Sequence, residues 1–229
     1  MKRELRLDPR APAVLPVIHH LDLVTTRDNN ELCQRAGTDG VFLIDHYGRN
    51  QELLAVAAAV RAADPDLWIG VNLLGERPAD VFRRVAALDL DGIWTDHAGV
   101  DLAGNELAER ALEAREAVDW NGLYFGGVQF KYQAQLADDE RAAAVAARYM
   151  DVICTSGPGT GEPPELAKLA RLTAGASGTP LAVASGVTPA NAAGLRGLVH
   201  AVLVATGISR DFHHLDPERT RQLVATLRA

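Results

Sequence analysis

Eight short apolar runs recur along the chain, separated by stretches patterned for α-helix. The strand candidates are 14–18, 40–44, 68–71, 92–95, 123–125 (running on toward Lys131), 152–155, 181–184 and 201–205. Between them, a helix over 29–36 is closed by Gly37, and Asn50 is placed to cap an alanine-rich helix over 51–63. Pro78 opens a third helix, with Val81, Phe82, Val85 and Leu88 on one face. Helices over 107–118 and 138–149 follow, and Pro163-Pro164 starts one that buries Leu166, Leu169 and Leu172. Thr188-Pro189 reads as the start of another. Asp216-Pro217 caps the last, whose apolar face is Leu223, Val224 and Leu227.

Runs so continuously apolar suit parallel strands covered on both faces. Strand–helix alternation leaves a closed (β/α)8 barrel or an open doubly wound sheet. An open sheet carries its glycine-rich phosphate loop after the first strand. Here that turn is His19-His20-Leu21-Asp22, without glycine. Eight units in 229 residues, with no linker-like stretch, therefore predict an α/β fold, a single (β/α)8 barrel over 1–229. Aromatics are few and alanine abundant, so close helix–strand packing is expected to supply much of the core.

The net charge is 23 − 30 = −7 with no basic block, which argues against nucleic acid or an anionic membrane as main partner. The charged N-terminal segment and the lack of any apolar stretch of spanning length argue against membrane insertion and for a cytoplasmic protein. Cys33 and Cys154 have no metal or redox spacing around them and read as reduced structural thiols. The alanine-rich helix faces leave a homo-oligomer open without marking an interface.

In such a barrel, chemistry sits at the C-terminal ends of the strands. Those ends carry His19 and His20, Asp45 and His46, Asn72, Asp96 and His97, Lys131, and Thr155-Ser156. Lys131, beside a desolvating pocket, suits proton transfer, Schiff-base chemistry or anion binding. Asp45 and Asp96 are placed to act as general acid and base, with helix capping or salt bridging as the alternative for each. His19, Asn72, Thr155 and Ser156 complete the expected ligand contacts. The histidine–aspartate pairs also invite a divalent metal. Their spacing matches no compact metal motif, and neighbouring strand residues face opposite ways. No cofactor is therefore expected, and a metal-dependent hydrolase using His19, Asp45 and Asp96 is the alternative. His213-His214 is expected to pack or be solvated, and His200 to be structural.

Two glycine turns complete the ring. Ala184-Ser185-Gly186-Val187-Thr188-Pro189 ends the seventh run, and Ala205-Thr206-Gly207 ends the eighth. Backbone N–H groups at strand-to-helix turns bind phosphate, and the last two strands are where a barrel of this kind holds it. The loop Ser156-Gly157-Pro158-Gly159-Thr160-Gly161 would assist. The expected partner is a small phosphorylated molecule.

The segments 151–164, 184–191 and 205–211, with Gly70-Val-Asn-Leu-Leu74 and Ile18-His19, resemble the BtpA family. Those proteins, named for a role in photosystem I accumulation, are barrels of the ribulose-phosphate-binding type. The resemblance implies that fold and a phosphate site, without a particular reaction. Where the family carries Glu-Asn after the second strand, this chain has Asp45-His46. Where it carries Asp-Val-His-x-Lys-His along the fifth, this chain reads Gly127-Val-Gln-Phe-Lys-Tyr132, which keeps the lysine alone. Two functions follow. One is an isomerase-, lyase- or transferase-type enzyme acting on a phosphorylated sugar- or nucleotide-derived metabolite. The other is a non-catalytic binding or assembly factor that keeps the phosphate cup.

Overall fold

The computed structural model describes residues 3–229, so the first two residues of the expected domain lie outside the described residues. Eight parallel strands form a closed barrel in chain order: β1 (Ala13–His19), β2 (Val41–Ile44), β3 (Ile69–Asn72), β4 (Gly92–Thr95), β5 (Leu123–Gly127), β6 (Val152–Thr155), β7 (Leu181–Val183) and β8 (Ala201–Val204). β8 closes on β1 with Ala13 opposite Ala201 and Pro16 opposite Val204. Seven α-helices pack outside among the described residues: α1 (Leu23–Ala36), α2 (Asn50–Ala63), α3 (Pro78–Val85), α4 (Glu106–Ala117), α5 (Asp139–Ala146), α6 (Leu166–Gly175) and α7 (Pro217–Arg228).

Two apolar layers result from the strand pleat. Outward side chains such as Val14, Leu43, Val71 and Ile93 meet the helices, where small residues including Ala57, Ala111 and Ala143 permit close approach. The lumen is different, because it gathers Phe42, Trp68, Trp94, Phe125 and Phe130. Phe42 meets Trp68, Trp94 and Phe125 edge-on at centroid distances of 5.3, 5.9 and 5.2 Å. Glycines on facing strands make room for these rings. A Cβ at Gly70, which pairs with Phe42, would lie 2.2 Å from its ring, and one at Gly92 would lie 2.4 Å from Trp68. Five aromatic side chains thus fill the lumen, each burial stabilising by roughly 1.5–3 kcal/mol.

The end opposite the mouth is sealed by charge. Buried Asp91 accepts the Ile69 N–H at 2.9 Å and pairs with Arg61, and Arg3 reaches it at 3.2 Å. No described helix is long and apolar enough to cross a membrane.

Four local expectations are corrected. α1 begins six residues before position 29, where Asp22 caps it by accepting the Thr25 N–H; its buried face is largely polar (Thr26, Asn29, Asn30), so apolar periodicity does not show it. Asn50 is the first residue of α2 and not its cap; its amide donates to Leu74 O and Glu76. Pro163-Pro164 stays extended loop, and Leu166, at the start of α6, is exposed. Thr188-Pro189 leads only to a 3-10 turn at Ala192–Leu195, because Asn191 ties the segment back, accepting the Thr188 N–H and donating to Gly186 O.

Candidate functional site

Strand parity decides which rim residues face the mouth. On β1 the side chains of Leu15 and Val17 lie in the lumen, so His19 points up the same wall. Gly70 faces the lumen on β3 and Trp94 on β4, which brings Asn72 and, just past β4, Asp96 over it. Asn72 Nδ2 donates to Asp96 Oδ1 at 2.9 Å. Burial pushes the Asp96 carboxyl above its usual range, against the opposing pull of the Asn72 hydrogen bond and the Lys131 charge. Lys131 lies past β5, with its Nζ 5.7 Å from the Phe130 ring that roofs the lumen. Its N–H is held by Ser156 Oγ at 2.7 Å. The mouth therefore carries two proton-exchanging groups, the Asp96 carboxyl, raised by burial, and the Lys131 side chain.

His19 is desolvated, and with His46 beside it its pKa falls to about 4; it is a neutral imidazole at physiological pH. Its Nδ1 is buried with no partner among the described residues. His46 follows the same wall of β2, where Phe42 and Ile44 face the lumen. Burial lowers its pKa too, with Asp45 and Asp96 pulling the other way.

The same parity turns Asp45 outward, away from its expected place as acid or base. One oxygen accepts the N–H groups of Tyr47 and Arg49 at 2.8 and 2.7 Å, and the other binds the Arg49 guanidinium at 2.9 and 3.1 Å. Burial opposes its charge, but these four donors outweigh it and hold the pKa below the usual value. Asp45 is thereby committed to the β2–α2 loop. The ligand set His19, Asp45 and Asp96 does not assemble, and among the described residues no group of three histidine, cysteine, aspartate or glutamate side chains converges for a metal. Thr155 also points outward, its hydroxyl donating to Gln129 O at 3.2 Å. Ser156 sits beside Lys131, and its hydroxyl donates to Gly157 O. His20 bonds Thr26 and Glu52, His97 accepts the Gly99 N–H, and His200 accepts the Leu181 N–H.

Beyond Lys131 the rim is made of backbone. A Cβ at Gly157 would lie 2.1 Å from Glu162 O, and one at Gly186 would lie 2.1 Å from Pro163 N. Gly186 also has φ +66°, a conformation that favours glycine. The β6–α6 loop thus lies directly on the β7 turn, and Gly207 is packed as closely on Val187 O. Ser185 Oγ locks the loop by accepting the Gly161 N–H and donating to Gly159 O. Tyr132 meets Thr160 at both its N–H and its hydroxyl. The loop is strapped on two sides. The N–H groups of Gly186, Thr206 and Gly207 donate to no acceptor among the described residues, which leaves them for an anion.

Several residues escaped the sequence reading. Lys168 on α6 reaches under the loop and donates from Nζ to Gln129 O and Ser156 O, tying the ends of β5 and β6 together. Burial lowers its pKa. Gln129 has φ +51° and folds its amide back to Leu136 and Asp139. Tyr47, Phe212 and His213 gather above His19. Only the helical position of Lys168 one turn after Pro164 was readable, and that alone gives no reason to single it out.

A closed (β/α)8 barrel whose mouth carries ionisable side chains and glycine turns is the class that fold and site define. Solved structures resemble it over nearly the whole chain. Phosphoribosyl anthranilate isomerase from Thermus thermophilus shares 19% identity over 94% of this chain and 98% of its own, at a TM-score of 0.67. Tryptophan synthase from Mycobacterium tuberculosis shares 18% over 96% and 94%, at 0.71. Phosphoribosyl anthranilate isomerase in complex with reduced 1-(o-carboxyphenylamino)-1-deoxyribulose 5-phosphate shares 15% over 94% and 98%, at 0.61. At such identities the likeness establishes the fold. No protein-family model and no curated relative matches the chain.

Proposed function

We propose that the chain is an enzyme acting on a small phosphorylated, sugar- or nucleotide-derived metabolite in an isomerase-, lyase- or transferase-type step. The observation that carries this reading is the pairing of one desolvated carboxyl, Asp96, with the uncommitted N–H groups of Gly186, Thr206 and Gly207 on the same mouth. The phosphate would rest on those donors, with Gly157, Gly159, Thr160 and Ser185 shaping the wall. Asp96 and Lys131 would exchange a proton with the substrate, Asn72 would orient Asp96, and His19 would contact the ligand as a neutral imidazole. Asp45 has no direct part. The fold is shared with an isomerase whose complex contains a deoxyribulose 5-phosphate derivative, which favours the same ligand class.

A second reading is a BtpA-like binding or assembly factor. It is favoured by the β5 segment, where Gln129 and Tyr132 stand in place of the family's histidines. Here Gln129 supports its own loop and Tyr132 is engaged with Thr160. Turnover measured across phosphosugar and nucleotide panels separates the two, with Lys131→Ala and Asp96→Asn as controls. Turnover lost in both variants supports the enzyme, whereas phosphate binding without turnover supports the factor. Absence of phosphate or sulfate from the β7 and β8 turns of a soaked crystal sinks both.

A further inference from the structure

Phe212 sits at the tip of the β8–α7 loop, on the rim beside β1 and β2, and 51% of it is exposed. Its position is nevertheless fixed from every side. Asp211 accepts the N–H groups of His213 and His214 at 3.0 and 2.9 Å, and Arg210 N–H donates to His214 O at 2.8 Å. Buried Asn29 donates to His213 O at 2.7 Å and accepts the Leu215 N–H at 3.0 Å. The His213 ring bridges His19 O at 3.1 Å and the Tyr47 hydroxyl at 3.0 Å. The Phe212 ring rests on His19 and His46 at centroid distances of 4.5 and 5.0 Å. Tyr47, 58% exposed, stands beside it, stacked on His213 at 5.9 Å.

An apolar ring held this firmly yet left half in water adds little to the core. Its free face is what the loop anchors present. The rings under it, His19 and His46, belong to the wall that faces Asp96 and Lys131. The loop that carries it begins at Thr206-Gly207, whose N–H groups are open to an anion. A ligand with its phosphate on that turn therefore has the aromatic rim within the same loop. We propose that Phe212, with His46 and Tyr47 beside it, seats a planar ring of the substrate, so that the ligand class is a phosphosugar bearing an aromatic or heteroaromatic ring. This rests on the phosphate reading above and adds the other end of the molecule to it.

Stacking on an aromatic side chain tolerates ring identity, because every planar ring offers a π-face. Titration calorimetry with inorganic phosphate, ribose 5-phosphate, AMP and UMP tests the proposal on the wild type, Phe212→Ala and Phe212→Tyr. Both nucleotides are expected to bind about tenfold or more tighter than ribose 5-phosphate. That gap is expected to vanish in Phe212→Ala and persist in Phe212→Tyr, with ribose 5-phosphate binding unchanged throughout. Ribose 5-phosphate bound as tightly as the nucleotides, or a gap that survives Phe212→Ala, overturns the ring seat and leaves the phosphate reading standing. Ribose 5-phosphate affinity that falls with nucleotide affinity in Phe212→Ala also overturns it. So does a change in sedimentation of the ligand-free variant, since the ring would then be covering a second copy of the chain. If none of the four ligands binds, the phosphate reading itself fails.

Discussion

Replacing Gly186 by alanine tests how the phosphate side of the mouth is built. Two separable costs arise at this position. The first is conformational, because φ is +66°, and an L side chain in the left-handed region costs roughly 1–2 kcal/mol. The second is steric. The new Cβ would lie 2.1 Å from Pro163 N, 2.2 Å from Glu162 C and 2.5 Å from Pro163 Cα, all backbone atoms that no rotamer change can move. To restore ordinary contact at 3.4 Å the loop must retreat by 3.4 − 2.1 = 1.3 Å, and overpacking of this kind costs roughly 1–3 kcal/mol. Gly161 supplies the control within the same loop. Its φ is +82°, but a Cβ there meets nothing within 4 Å. Gly161→Ala should therefore carry the conformational cost alone. The two variants should differ by about 1–3 kcal/mol, or about 2–12 °C in Tm for a chain of this size. Thermal melts followed by circular dichroism give the difference directly, and phosphate titration should show affinity lost in Gly186→Ala and kept in Gly161→Ala. Equal melting temperatures would refute the close stacking of the β6–α6 loop on the β7 turn.

Asp96 holds its proton above the unfolded value of 3.8, so its carboxylate subtracts stability as pH rises through the folded pKa. Asp96→Asn should therefore melt higher than the wild type at about pH 7.5 and equally at about pH 3, while turnover disappears; a lower melting point at the higher pH would contradict the desolvation account. For His19 the sign is reversed. Its pKa drops from 6.5 unfolded to about 4 folded. The associated stability is complete above the unfolded value and is lost as pH falls through the folded one. Imidazole NMR should give a midpoint near 4, and His19→Gln should flatten the acid side of the stability curve; a midpoint near 6.5 would place His19 in solvent. Asp91→Ala should cost roughly 1–3 kcal/mol by taking the acceptor from the buried Ile69 N–H and leaving Arg61 with Asp89 as its remaining carboxylate. Denaturant unfolding measures that loss. Because Asp91 lies at the opposite end of the barrel, ligand affinity of the folded variant should be unchanged.

Strands β4 and β6 coincide with their predicted runs residue for residue, since a four-residue parallel strand buried on both faces is mostly apolar and each of these is bounded by polar residues. That same property hides the site. When both faces of a strand are apolar, hydrophobicity does not say which parity faces the lumen, so Asp45 and His46 look equivalent. The glycines carried the missing information. Gly70 and Gly92 are small because Phe42 and Trp68 fill the lumen beside them, and counting by twos from them reaches Asn72 and Asp96. The buried face of α1 shows no apolar periodicity because it is formed by Thr26 and Asn29, which are held by hydrogen bonds, and by Asn30 beside them. Phe212 depends on contacts from α1, β1 and the β2–α2 loop, none of them near it in sequence.

The two lysines near β5 show how the rim separates support from exposure. Lys168 comes from behind, on α6, and its charge is absorbed by two carbonyl oxygens, Gln129 O and Ser156 O. Those are the atoms that fix where the chain leaves β5 and β6. With them held, Ser156 Oγ can accept the Lys131 N–H, which sets the start of the Lys131 side chain without engaging its ammonium group. Asp45 and Arg49 do the same for the β2 side, where four hydrogen bonds on outward atoms leave His46 on the inner wall. In each case the outward residue of the rim is saturated and the inward one retains an unfilled polar group. The inward residues lie near one another around the mouth, since the charges of Asp96 and Lys131 act on His46 and those of Lys131 and His46 act on Asp96. A barrel selected for stability alone would have no use for a carboxyl raised by burial at this point. The ligand proposed above would supply what the inward groups lack.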